Sequence, residues 1–205
     1  MVRIITGTAK GKKLLTPEGE STRPTSERIK GAMFSSIQFD IEHRRVLDLF
    51  AGSGQLGLEA MSRGAESVTF VDTDRDAVEL VKKNARSIGV FEKCRYAVSD
   101  YRNFIRKASG RDKYDLVFID PPYAMQCCTE ALLRLCDADL LLDGALGIAG
   151  AQRDLVRIAG HLLDLAGIYG VHRTPGLVDV GHHALAGRLA LGLENRVALP
   201  LDLVP

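Results

Sequence analysis

The central part of the chain, from residue 46 to about residue 144, alternates short apolar runs with stretches of helical periodicity. Residues 46–50 form a short apolar run typical of a buried strand, residues 67–71 are rich in β-forming residues, and further strands are predicted at 94–98 and 114–119. Between them, apolar positions recur every three to four residues, which predicts helices at 55–63, 74–88, around 104–105 and at 129–136. Strands that alternate with helices predict an α/β fold with a mostly parallel sheet and helices on both faces.

The first 45 residues have a different pattern. Two strand-like segments, 3–6 and 12–15, flank a glycine-containing turn and predict a β-hairpin. A helix is predicted to begin at a cap on Thr25 or Ser26 and to reach about Gln38. Its apolar stripe consists of Ile29, Met33, Phe34 and Ile37. We therefore expect a small extension, residues 1–45, packed against a main domain, residues 46–205.

Composition places the chain among ordinary globular proteins. Its 205 residues are 46% apolar and 26% charged, which excludes a disordered, collagen-like or disulfide-stapled chain. The four cysteines form no CxxC pair, and no histidine stands beside them at metal-ligand spacing, so we expect free thiols and no metal. No signal peptide or membrane-spanning run is visible, and the protein is expected to be a cytoplasmic monomer.

The net charge of +1 conceals an uneven distribution. Residues 1–45 carry nine basic side chains against five acidic ones, whereas the tail from about residue 145 has no lysine and four of the five histidines. A basic extension is typical of a nucleic-acid contact, although charged clusters are also ordinary solvated surface. The candidate RNA-binding residues are Arg3, Lys10, Lys12, Lys13, Arg23 and Arg28, with Lys30 on the same surface.

The first chemical motif follows the strand at 46–50. Gly52, Gly54 and Gly57 form a GxGxxG pattern between a strand and a helix, where glycines let the backbone turn tightly and approach a ligand. Asp72 ends the next strand, where a carboxylate can accept hydrogen bonds from two ribose hydroxyls. Together these residues, with Ser53, predict a nucleoside-containing cofactor.

Two cofactors compete for this loop. A nicotinamide dinucleotide would place its pyrophosphate at the helix N-terminus. Asp48 is expected to put a carboxylate at the loop mouth, which disfavours a pyrophosphate and suits the sulfonium of S-adenosylmethionine. Asp100, after the third strand, is a candidate for the adenine amine, or alternatively a helix N-cap.

The second motif, at the carboxyl end of the fourth strand, is Asp120-Pro121-Pro122-Tyr123. The prolines fix the backbone, so that the Pro121 carbonyl and the Asp120 carboxylate can accept both hydrogens of an exocyclic amine. Tyr123 offers a flat face for stacking a base. This arrangement suits methylation of a planar amine, where much of the rate can come from positioning the nitrogen against the methyl carbon.

The chain resembles the bacterial RsmD-like family, which methylates the N2 amine of a guanine in 16S ribosomal RNA. Besides the glycine loop, Asp72 and the Asp-Pro-Pro-Tyr motif, the resemblance rests on Arg3-Ile-Ile-Thr-Gly, Lys10-Gly-Lys, Thr22-Arg23-Pro24-Thr25, Arg28 and Leu47-Asp-Leu-Phe-Ala-Gly-Ser-Gly. It covers about residues 1–144 and implies a Rossmann-like class I methyltransferase sheet of seven strands. It also implies a flipped target base and 16S ribosomal RNA, or the assembling small subunit, as partner.

By position, the resemblance assigns Gly52, Ser53, Gly54, Asp72 and Asp100 to the cofactor, Asp120, Pro121 and Tyr123 to the guanine, and Arg23 and Arg28 to RNA. The tail departs from the family pattern, because residues 174–193 lack the alternating aromatic and apolar run expected of closing strands. Three alternatives stay open: a DNA or other nucleic-acid adenine-N6 methylase, a non-catalytic RNA-binding module, and a dehydrogenase.

Overall fold

The computed structural model describes residues 2–17, 27–122 and 127–149, together with the backbone of residues 154–159 and 162–163. Predictions that concern residues 22–26, Tyr123 and the tail histidines lie outside these residues. Within the described part of the chain, no helix combines the length and the apolar character needed to cross a membrane.

A mixed sheet forms the centre of the molecule, with strands in the order β5-β4-β3-β6-β7-β8-β9. The first five in this order are parallel, and the last two are antiparallel additions at one edge. These strands are β3 (Arg45–Asp48), β4 (Ser67–Asp72), β5 (Cys94–Val98), β6 (Tyr114–Ile119), β7 (Leu141–Ala149), β8 (Asp154–Ala159) and β9 (Leu162–Leu163). The predicted α/β fold with a mostly parallel sheet is confirmed.

Helices cover both faces of the sheet. They are α2 (Gln55–Ser62), α3 (Arg75–Ser87), α4 (Tyr101–Ala108) and α5 (Cys128–Asp137), with a short 3₁₀ turn at Phe91–Lys93. Successive residues of β3 point to opposite sides, so that Val46 joins the core under α2 and α3, and Leu47 joins the core under α4 and α5. The central strand is therefore buried on both faces, as its continuous apolar run predicts.

The N-terminal extension contains the predicted hairpin and helix. Strands β1 (Val2–Arg3) and β2 (Lys13–Leu14) pair antiparallel but are only two residues long, and helix α1 spans Glu27–Ser36. Val2, Ile4 and Phe34 are buried in the same core as Val46. The extension thus completes the face of the sheet that carries α2 and α3.

Two predictions about α1 are wrong. Ile29 is 48% exposed, whereas Lys30, which the sequence places on the basic surface, is fully buried. The buried face is centred on residues 30, 33, 34 and 37, a helical repeat that leaves position 29 about 100° away from the core. Lys30 is therefore an interior cation and not part of an RNA-binding surface.

Strand β7 has no counterpart among the predicted strands. It crosses residue 145, where the composition of the chain changes, and its apolar run is broken by Asp143 and by Gly144, which has a φ of 74°. The pairing of β6 with β7 shifts register between Tyr114 and Leu116, which accommodates this irregular segment. The parallel sheet consequently extends past residue 145.

Candidate active site

The carboxyl ends of four parallel strands bring the predicted site residues to one edge of the sheet. Asp48 on β3 is in register with Phe118 on β6 and with Phe70 on β4. Asp120 and Asp72 each follow two residues after these partners. The chain moves from β3 to β4 on one side and reaches β6 on the other, so the gap between β3 and β6 is a topological switch point, where open α/β sheets bind ligands.

The glycine loop connects β3 to α2 through two left-handed residues. Gly52 has a φ of 52° and Gly54 a φ of 76°, and Gly54 is the residue before the first turn of α2. A Cβ on Gly52 would meet nothing within 4 Å, so that the loop leaves open space on this side. The loop is held to β4 by a hydrogen bond of 3.0 Å from the Ala51 N–H to the Val71 carbonyl.

Gly57 has a different role, because it lets α2 approach the sheet closely. A Cβ at this position would lie 2.4 Å from a ring carbon of Phe70. Gly31 on α1 is a matched helical glycine, since its nearest neighbour would be 3.9 Å away. Gly57→Ala is expected to lower the free energy of unfolding by about 1–3 kcal/mol through overpacking, and Gly31→Ala to raise it by about 0.5–1 kcal/mol through helix propensity.

Urea denaturation of the two glycine variants tests this difference. Two stability changes of the same sign would contradict the close approach of α2 to Phe70.

Asp72 lies at the end of β4 and holds the glycine loop from the other side. Its Oδ2 accepts a hydrogen bond of 2.8 Å from the Gly52 N–H, and its Oδ1 accepts one of 3.0 Å from the Asp74 N–H. The side chain is partly exposed. Each carboxylate oxygen has a further lone pair, which leaves acceptors for the ribose hydroxyls that the sequence predicts here.

Asp48 does not lie at the loop mouth, and this expectation is wrong. Asp48 is 1% exposed, and its Oδ2 accepts a hydrogen bond of 3.0 Å from the Gly57 N–H in the first turn of α2. The carboxylate at the end of β3 turns inward because the orphan N–H groups of the helix are its nearest donors. Asp48 therefore supports the glycine loop from below.

Burial raises the pKa of Asp48 from 3.8 to about 7, while the Gly57 hydrogen bond opposes the shift and the nearby Asp120 and Asp72 carboxylates reinforce it. Between about pH 4 and pH 7, Asp48 therefore carries a proton in the folded state but not in the unfolded chain. The free energy of unfolding therefore decreases as the pH rises through this window.

Asp48→Asn is expected to gain stability relative to the wild type between pH 5 and pH 8, by about 2–3 kcal/mol in the free energy of unfolding. Asparagine keeps an acceptor for the Gly57 N–H and carries no charge. Urea denaturation at the two pH values measures the difference. If the two proteins differ in free energy of unfolding by the same amount at both pH values, the raised pKa of the buried Asp48 carboxyl is contradicted.

Asp100 lies two residues beyond Val98, the partner of Asp72 in the pairing of β4 with β5. It is the N-cap of α4, and its Oδ1 accepts hydrogen bonds from the N–H groups of Arg102 at 2.9 Å and Asn103 at 3.4 Å. The capping role that the sequence left as an alternative is present. The adenine contact stays a prediction.

The Asp-Pro-Pro segment leaves β6 beside the glycine loop. Asp120 and Pro121 are partly exposed and Pro122 is exposed at this edge, while Tyr123 lies outside the described residues. The Leu49 N–H donates to the Phe118 carbonyl over 3.0 Å, which ties the start of the glycine loop to the strand that carries Asp120. The two predicted motifs are thus adjacent in the fold.

The predicted RNA-binding residues are divided by the fold. Arg3, Lys10 and Arg28 line one open cleft of about 570 Å³ between the hairpin and α1, and Arg3 pairs with Glu27 at 2.9 Å. Lys12 and Lys13 are exposed on the hairpin but do not line this cleft, and Arg23 lies outside the described residues.

Two buried polar residues near the site escaped the sequence analysis. Glu59 on α2 is fully buried, with Lys30 Nζ at 3.2 Å and Arg63 Nε at 2.9 Å, and it accepts hydrogen bonds from the N–H groups of Ile5 and Thr6. Asn84 on α3 is 1% exposed. A polar residue on an otherwise apolar helix face is the signal that could have identified both.

Comparison with known proteins assigns the family. The model of the family described as "Conserved hypothetical protein 95" matches residues 2–161. The chain belongs to this family. "Ribosomal RNA small subunit methyltransferase D" of Haemophilus influenzae is 34% identical over 158 residues, which cover 75% of this chain and 80% of the relative. The resemblance stated from the sequence is thereby confirmed.

Solved structures agree with the family assignment. A structure described as "Putative methyltransferase yhhF from Escherichia coli" is 35% identical with a TM-score of 0.64, covering 71% of this chain and 78% of that chain. A more distant methyltransferase structure complexed with SAH is 21% identical with a TM-score of 0.50, covering 58% of this chain and 34% of that chain. The second likeness concerns the fold, and the first also supports membership of the family.

Proposed function

We propose that this protein is an S-adenosylmethionine-dependent methyltransferase that modifies the N2 amine of a guanine in 16S ribosomal RNA. The observation that carries the proposal is the adjacency of the glycine loop after β3 and the Asp120-Pro121 segment after β6 at the switch point of the sheet. The first can hold a methyl donor and the second an amine. The naming of relatives as methyltransferases of small-subunit ribosomal RNA supports the same reaction.

The residues at the loop fit S-adenosylmethionine, which supplies a methyl group on a positively charged sulfur. Gly52 leaves open space beside the backbone, and Asp72 presents carboxylate oxygens at the same edge. The nearby Asp120 and Asp72 carboxylates raise the pKa of the Asp48 carboxyl, and a cation bound at this edge of the sheet would offset that repulsion.

Asp120 and the Pro121 carbonyl supply the acceptors for the target amine. The two hydrogens of a planar exocyclic amine donate to these oxygens, so that the nitrogen is held in one orientation. Pro121 and Pro122 lack N–H groups and keep the backbone fixed, which reduces the entropy lost on binding. Asp120 can accept the proton that the amine loses after methylation. Tyr123 is predicted to stack on the base.

The basic extension supplies the contact to RNA in this proposal. Arg3, Lys10 and Arg28 surround a cleft on the hairpin and α1, and phosphate contacts by such side chains provide much of the affinity for nucleic acids. We infer that the protein acts as a monomer in the cytoplasm on ribosomal RNA or on an assembling small subunit.

Methyl transfer to ribosomal RNA tests the proposal directly. 16S ribosomal RNA purified from cells that lack the protein is incubated with it and with methyl-labelled S-adenosylmethionine, and the labelled nucleoside is identified by mass spectrometry. N2-methylguanosine is the expected product. If the product is N6-methyladenosine, the protein is an adenine-N6 methyltransferase. If the protein binds RNA and transfers no methyl group, it is an RNA-binding module.

An inosine at the mapped position provides a matched substrate control. Inosine differs from guanosine only in lacking the N2 amine, so RNA with this single replacement is expected to bind with similar affinity and to accept no methyl group. Transfer to the inosine RNA at the same position would contradict the assignment of N2.

A further inference from the structure

Asn84 on α3 connects the basic hairpin to the glycine loop. Its Oδ1 accepts a hydrogen bond of 2.8 Å from the Leu15 N–H, and its Nδ2 donates to the Leu15 carbonyl and to the Ser53 carbonyl, each at 3.0 Å. Both hydrogens of the amide nitrogen are therefore used. Leu15 directly follows β2, and Ser53 lies between the two left-handed glycines of the loop.

The hairpin is also fixed to α2, the helix that begins at the glycine loop. Glu59 accepts hydrogen bonds from the N–H groups of Ile5 and Thr6 at 2.8 and 3.0 Å, and Ser62 Oγ accepts one from the Ala9 N–H at 2.9 Å. A Cβ on Gly7 would lie 1.8 Å from the Ser62 carbonyl oxygen, so the two backbones are in direct contact. The hairpin thus packs against both α2 and α3. Among the contacts described, Asn84 is the one side chain that binds both the hairpin and the glycine loop.

We propose that Asn84 is a positioning residue that couples the binding of RNA on the hairpin to the binding of the cofactor in the glycine loop. The inference rests on the proposed function, since it takes RNA and S-adenosylmethionine as the two ligands. RNA that binds the hairpin favours one position of Leu15, and the Asn84 amide, which joins Leu15 to the Ser53 carbonyl, favours the matching position of the glycine loop. The cofactor then meets a loop that is already in its binding position.

Burial gives this link its strength. At 1% exposure, the Asn84 amide has no water to replace a lost partner, so a shift of either backbone segment leaves a polar group unsatisfied. Only a residue with donors and an acceptor on one short side chain can satisfy Leu15 and Ser53 together. Coupling between two ligands is reciprocal, so the cofactor must strengthen RNA binding by the same factor.

The coupling factor is measurable by calorimetry. S-adenosylhomocysteine, which binds without turnover, is titrated into the protein alone and into the protein saturated with 16S ribosomal RNA. For the wild type we expect RNA to lower the Kd of S-adenosylhomocysteine about fivefold or more. Asn84→Ala, which removes all three hydrogen bonds, is expected to bring the factor within about twofold of 1. Asn84→Ser, a smaller change that removes the amide donors, is expected to reduce it as well.

Val78→Ala is the matched control, because Val78 is buried in the same helix and its truncation removes packing without a hydrogen bond. It is expected to lower stability and to keep the wild-type coupling factor. The inference fails if the wild type binds both ligands with a factor of 1, or if the Asn84 variants retain the wild-type factor. A wild type that binds no S-adenosylhomocysteine would overturn the proposed function as well.

Discussion

Asp120→Asn is expected to lower the rate constant of methyl transfer by about 100-fold or more. The asparagine has nearly the same shape and keeps one acceptor oxygen, but it carries no negative charge. It therefore stabilises the positive charge that develops on the target amine much less, and it cannot take the proton that the amine loses. Because Asp120 belongs to the amine side of the site, we expect the affinity for the cofactor to change much less than the rate.

Single-turnover transfer to 16S ribosomal RNA and calorimetry with S-adenosylhomocysteine separate these two effects. Asp115→Asn is the matched control, since Asp115 lies on the same strand, β6, at its opposite end, where it accepts a hydrogen bond of 2.8 Å from the Arg45 N–H. This variant is expected to transfer methyl groups at nearly the wild-type rate. A rate for Asp120→Asn within about tenfold of the wild type would remove Asp120 from the catalytic site.

Glu59→Ala is expected to lower the free energy of unfolding by about 3–5 kcal/mol, the usual cost of breaking a buried ion pair by removing one partner. The Glu59 and Lys30 side chains are 0% and 1% exposed. Without the carboxylate, the Lys30 ammonium group would be buried without its counter-charge, although its hydrogen bond to the Arg3 carbonyl remains. The N–H groups of Ile5 and Thr6 would also lose their acceptor.

Urea denaturation measures this loss of stability. The control is Glu79→Ala, because Glu79 on α3 pairs with Lys82 at the surface, where an ion pair contributes little. That variant is expected to unfold at the wild-type urea concentration. A loss below about 1 kcal/mol in Glu59→Ala would show that the extension does not depend on the buried pair.

The strands that the sequence predicted well are short segments rich in apolar, aromatic and β-branched residues. The predicted strand at 114–119 coincides with β6, an interior strand that is almost entirely buried, and the predicted strand at 94–98 coincides with β5, an edge strand whose residues are partly buried or exposed. β7 was missed since its run is interrupted by Asp143 and Gly144, and a sheet tolerates such residues where the register shifts. The pairing partner that permits this is remote in sequence.

The orientation of polar side chains was harder to predict than their position. The spacing of Asp48 from the glycines predicted a carboxylate at the loop mouth, but whether it turns toward a ligand or toward the helix depends on which donors lie nearest in space. The same holds for Lys30, whose burial depends on Glu59, a residue 29 positions away in the chain. The roles of Asp72, Asp100, Asp120 and Tyr123 toward ligands stay predictions.

The hydrogen bonds between Leu15 and Asn84 have a consequence for folding of the chain during its synthesis on the ribosome. The two residues are 69 positions apart, so the second is synthesised roughly 3 to 14 s after the first at about 5–20 residues per second. Until then the hairpin lacks its polar partner on α3, although its partners on α2, Glu59 and Ser62, have already been synthesised. The connection between the basic hairpin and the glycine loop through Asn84 therefore forms only after the middle of α3 has been synthesised.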